Sequence, residues 1–93
     1  MRQSKVAVKV RISGLVHGVF FRASMAEVAK LSGVNGWVTN MTDGSVEAIL
    51  EGEQDSVNKV VEWARLGPPK ARVDSVAVEP VKVRNLRGFR ISG

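Results

Sequence analysis

The 93-residue sequence contains no cysteine and a single histidine. The first absence excludes a disulfide framework and thiolate chemistry, and the second excludes the usual multi-histidine metal clusters. No apolar run is long enough to span a bilayer, and Met1-Arg2-Gln3-Ser4-Lys5 passes directly into an alternating pattern instead of an apolar signal core. A cytoplasmic location with no membrane partner is therefore expected. Asn40-Met41-Thr42 matches a glycosylation acceptor, which is idle without a secretion signal. Repeats, linkers and low-complexity stretches are also lacking, and the length leaves room for one core and one site, so residues 1–93 read as a single domain.

Aromatic residues are few and scattered. Trp37, Trp63, Phe20, Phe21 and Phe89 sit among apolar neighbours, which points to core packing for most of them; RNA-binding sheets instead display aromatics together on an open face. The formal charge is +5, which calls for an anionic partner without choosing among nucleic acid, an acidic surface and a small phosphorylated molecule. The excess is uneven: Arg65, Lys70, Arg72, Lys82, Arg84, Arg87 and Arg90 face only Asp74 and Glu79 in the last third of the chain. A solvated strand face explains such a run as well as a binding surface does.

Val6, Val8, Val10 and Ile12 alternate with Ala7, Lys9, Arg11 and Ser13, the period of a strand with one buried face. Met25, Val28, Ala29 and Leu31 give a helical stripe from about Phe20 to Leu31, with Ser32-Gly33 as a left-handed stop. Two strands, Gly36–Asn40 and Ser45–Glu51, flank Met41-Thr42-Asp43-Gly44, and the Asp-Gly step predicts a hairpin. Val57, Val60, Val61 and Ala64 fall at helical spacing after Glu53-Gln54-Asp55-Ser56 and stop at Gly67-Pro68-Pro69. An extended segment through Val73, Val76, Val78 and Val81 and a short one through Phe89 and Ile91 complete the chain. The order is β-α-β-β-α-β with an added C-terminal strand. The pattern predicts an α+β, ferredoxin-like two-layer sandwich with a mainly antiparallel sheet and two helices on one face.

Chemistry concentrates in Gly14-Leu15-Val16-His17-Gly18-Val19-Phe20-Phe21-Arg22. A loop between a strand and a helix start leaves backbone N–H groups outside any ladder, and glycines permit the positive φ angles from which anion-binding nests are built. Arg22, in the first helical turn, carries a planar fork suited to two phosphate oxygens. An ordinary loop with Arg22 on a wet helix face is the competing reading. Topology favours the cradle: a right-handed β-α-β crossover makes the first two strands parallel, with the third between them, so the loop and the strand-ending Asn40 share one edge. Asn40 either orients a water by hydrogen bonding without taking its proton, or caps the hairpin. His17 has no carboxylate or hydroxyl beside it in the loop, which favours anchoring the loop over acting as a base or a phosphorylated nucleophile.

Gly-Leu-Val-His-Gly-Val-Phe-Phe-Arg, then Gly-Trp-Val-Thr-Asn, then Asp-Gly-Ser-Val-Glu-Ala-Ile-Leu-Glu-Gly resembles the acylphosphatase family. Trp63, Gly67-Pro68-Pro69 and Phe89-Arg90-Ile91 extend the similarity through the later segments. The resemblance implies hydrolysis of the carboxyl–phosphate bond of small acyl phosphates, with inorganic phosphate as a product, by a monomer needing no cofactor or metal. It implies that Arg22 and the backbone of Leu15, Val16, His17, Gly18, Val19, Phe20 and Phe21 bind the phosphoryl group, while Asn40 orients the water. His17 departs from the glutamine usual in the family, and its titration near neutral pH would tune anion binding. Met41 also replaces a more common polar residue. Two other readings compete: a non-catalytic phosphate-binding module, and a basic nucleic-acid-binding domain. The presence of Arg22 and Asn40 disfavours the first, and the missing aromatic signature disfavours specific nucleic-acid binding.

Overall fold

In the computed structural model, which describes residues 4–92, the elements follow in the order β1 (Lys5–Leu15), α1 (Phe21–Ser32), β2 (Asn35–Asn40), β3 (Val46–Glu53), α2 (Gln54–Leu66), β4 (Arg72–Pro80) and β5 (Phe89–Ser92). The sheet order is β4-β1-β3-β2-β5, with every pairing antiparallel except β2 with β5. Alternation decides which face is covered. Val10 lies opposite Ala48 and Ile12 opposite Val46, while Val38 meets Ala48 from the other side. These residues pack against Phe21, Met25 and Ala29 of α1 and Val57, Val60 and Ala64 of α2. Their partners in the alternation, Lys9, Arg11, Glu47 and Trp37, point to the opposite face. The expected two-layer βαββαβ sandwich with its additional strand is therefore observed.

Helix α1 ends as its sequence predicts. Gly33 takes φ 73°, and the Val34 amide donates to the Ala29 carbonyl at 2.8 Å, closing the last turn. Trp63 of α2 packs its ring against Phe21 at 5.2 Å between centroids, a tilted pair that ties the two helices together.

Two features of the fourth strand were not readable as simple alternation. Val73 and Val76 have opposite parity, yet both pack against the core. The register explains it: Ser13 pairs with Ser75 and Gly14 with Val73, so Asp74 is an extra residue that resets the phase. Gly14 is required at this shift. Its φ is 134°, and a Cβ there would run into the Arg72 carbonyl oxygen. Val81, expected in the strand, lies beyond it.

Residues 81–88 instead form a strap. Because β4 and β5 occupy opposite edges, the connection must cross four inter-strand spacings of about 4.8 Å, or roughly 19 Å, which eight extended residues span. It crosses over the face that the helices leave uncovered. Glu51, on that face of β3 and 0% exposed, holds it: Oε1 accepts the Arg84 N–H and Oε2 the Leu86 N–H, both at 2.7 Å. Asn35 Oδ1 accepts the Gly88 N–H at 3.1 Å at the far end. A carboxylate is stable in this dry position because both oxygens receive backbone donors.

Candidate active site

The turn from β1 into α1 is built on left-handed backbone. Gly18 has φ 70°, which glycine adopts freely, and Phe20, the residue capping α1, has φ 64°. For phenylalanine that conformation costs on the order of 1–2 kcal/mol. The cap donates no side-chain hydrogen-bond acceptor to the helix, and the first turn of α1 holds no acidic residue. The first intrahelical bond runs from the Ser24 amide to the Phe20 carbonyl, 3.0 Å, so the first-turn amides ahead of Ser24 precede the helical ladder and point to the amino end. Their dipoles sum to a partial positive charge of about half a unit.

The first turn of α1 borders a cleft of about 280 Å³ lined by Val16, Gly18, Phe20, Phe21, Arg22, Ala23, Asn40 and Ile91. Arg22 Nη1 donates to the Ser92 carbonyl at 3.0 Å, which steadies the guanidinium against β5. Asn40, which ends β2 where the chain enters the hairpin, also lines the cleft. The hairpin is tightened by Asp43, whose Oδ1 accepts the Ser45 hydroxyl at 2.6 Å and the Ser45 amide at 3.0 Å. The hydroxyl first, then the amide, hold the Asp43 carboxyl below its ordinary value, and Arg11 at 3.8 Å adds a smaller pull.

His17 does not line the cleft. Its Nε2 lies 2.8 Å from the Ser45 carbonyl, and because a carbonyl only accepts, Nε2 carries the hydrogen. The same oxygen accepts the Met41 amide at 2.8 Å. One acceptor thus joins the glycine loop to the residue that follows Asn40, as the anchoring reading of His17 requires.

The structure therefore brings Arg22, Asn40, Val16, Gly18, Phe20 and Phe21 together, whereas Leu15, His17 and Val19 lie outside the cleft's lining. Phe21 and Phe89 are buried and Trp63 packs at the core's margin, as anticipated for aromatics. Phe20 is the exception at 77% exposure, and Trp37 lies on the uncovered face. Ala23 and Ile91 line the cleft and were not anticipated; the parallel pairing of β5 with β2, which brings Ile91 beside Val38, was the missing information.

The model of the acylphosphatase family matches residues 8–91. The chain belongs to the acylphosphatase family. An acylphosphatase of Pyrobaculum aerophilum is 61% identical over 71 residues, covering 75% of each chain. One of Rubrobacter xylanophilus is 50% identical over 91 residues, covering 97% of this chain and 82% of its own length. The solved structure of an acylphosphatase from Coxiella burnetii superposes with a TM-score of 0.91 at 39% identity, covering 95% of this chain and 93% of that one. Family membership thus extends over both helices and every strand, including the β5 segment that closes the cleft.

Proposed function

We propose that this chain is an acylphosphatase enzyme that hydrolyses small acyl phosphates to a carboxylate and inorganic phosphate, using no metal or cofactor. The observation that carries the reading is the meeting of Arg22, Asn40 and the uncapped amino end of α1 on one cleft.

In this mechanism the phosphoryl oxygens accept hydrogen bonds from the backbone of residues 15–21, and Arg22 adds two donors in one plane. Asn40 holds a water in line with the scissile bond. The water oxygen bonds to phosphorus as the acyl oxygen leaves with the electron pair, and a proton passes to the nascent phosphate. The leaving group is a carboxylate, so its departure needs no acid, and positioning plus charge stabilisation supplies the catalysis. The reading also takes the protein as a monomer, since one chain supplies every residue of the cleft.

The test is benzoyl phosphate hydrolysis by the intact protein, Arg22→Ala and Asn40→Ala, with chelator present and folding checked by circular dichroism. Deleting a preorganised donor typically costs about a hundred- to a thousandfold in rate, the loss expected for Asn40→Ala. Absence of turnover by the intact protein would reject the enzyme reading in favour of a phosphate-binding module.

A further inference from the structure

Phe20 combines two unfavourable features that packing does not offset: a left-handed backbone and a ring 77% exposed to water. Strained residues persist where a binding site uses them. Phe20 lines the phosphate cleft and also a second groove of about 290 Å³, whose other walls are Val19, Ser24, Pro68, Pro69 and Lys70. Phe20 is the one wall that the two spaces share. A phosphoryl group seated against Arg22 and the start of α1 must direct its substituent out of the cleft, and the groove receives what passes Phe20.

On the basis of the hydrolase reading, we propose that this groove is the acyl subsite and that it selects planar, apolar acyl groups. Its walls are a phenyl ring, a valine and two prolines, apolar surfaces whose proline rings carry little conformational freedom to lose on binding. A cavity near 150 Å³ holds one benzene, so an open groove of about 290 Å³ accommodates an aromatic acyl group. An aromatic acyl group would stack on or pack edge-on to Phe20. A two-carbon acyl group is too short to reach the prolines, so small and aromatic substrates share the phosphate contacts and differ in the groove.

The experiment compares kcat/KM for benzoyl phosphate and acetyl phosphate in the intact protein, in Phe20→Gly and in Pro69→Ser. The ratio of the two values cancels any change in the shared cradle. Glycine tolerates φ 64° and removes the ring; the ratio is expected to fall roughly tenfold, the scale of one well-made aromatic contact. Pro69 is exposed, so its variant is expected to fold, to leave acetyl phosphate turnover unchanged and to lower the ratio in the same direction. A ratio unchanged in both folded variants overturns the subsite, leaves the hydrolase reading intact and assigns the groove to another partner. If neither substrate is hydrolysed by the intact protein, the hydrolase reading falls and the subsite with it.

Discussion

Replacing Glu51 by alanine tests whether the strap is held by one buried carboxylate. The substitution removes acceptors from the Arg84 and Leu86 N–H groups, each bonded at 2.7 Å to Glu51, itself 0% exposed. An orphaned buried donor costs about 1–3 kcal/mol, and relief of the carboxylate's own burial offsets part of the sum, leaving a net loss of about 3 kcal/mol. At roughly 4–8 °C per kcal/mol for a chain of this size, the melting temperature should fall by about 12–24 °C. Glutamine keeps one acceptor but sets its amide against the other N–H, so a loss of about 1–2 kcal/mol is expected. Thermal melts by circular dichroism measure both, and amide hydrogen exchange at Arg84 and Leu86 shows whether the strap opens before the sheet. A Glu51→Ala melting temperature within about 3 °C of the parent, with both amides still protected, would refute the assignment.

Three further outcomes follow from contacts near the cleft. His17→Ala should lower kcat/KM several-fold through loss of a bond worth about 1 kcal/mol, and His17→Gln should restore it; if glutamine leaves both rate and pH profile unchanged, charge tuning by His17 is rejected and anchoring remains. Gly14→Ala should destabilise by about 2–4 kcal/mol in urea melts, because the new Cβ meets the Arg72 carbonyl and the backbone is held at φ 134°. The folded Asp43 carboxyl titrates below its unfolded value of 3.8, so the stability it contributes is present above that pH and is lost as pH falls below it. Asp43→Asn should therefore flatten the acid limb of the stability curve, and an unchanged limb would show that other carboxylates dominate it.

Most of the fold was legible because its signals are local and redundant. Strand alternation from Val6 to Ile12, the Asp43-Gly44 hairpin, the Gly33 stop and the Gly67-Pro68-Pro69 break each specify one element. Arg22 and Asn40 were paired by topology alone, since parallel first and second strands share an edge. What escaped was non-local. The phase reset at Asp74 depends on what Gly14 pairs with, and no local pattern marks Glu51 as buried, because its partners lie 33 and 35 residues away. Phe20 stands among aromatics most of which read as core, whereas its left-handed cap position leaves the ring exposed.

The bond from Arg22 to the Ser92 carbonyl joins positions 70 residues apart. It cannot form until the strap has crossed the sheet and β5 has added itself beside β2, a contact whose closure entropy is among the largest in the chain. The arginine of the cleft is thus steadied by the fifth of the described strands in chain order. Enzyme activity should consequently report the completion of folding, recovering after the Trp63 fluorescence of a Trp37→Phe variant when the protein is diluted out of denaturant.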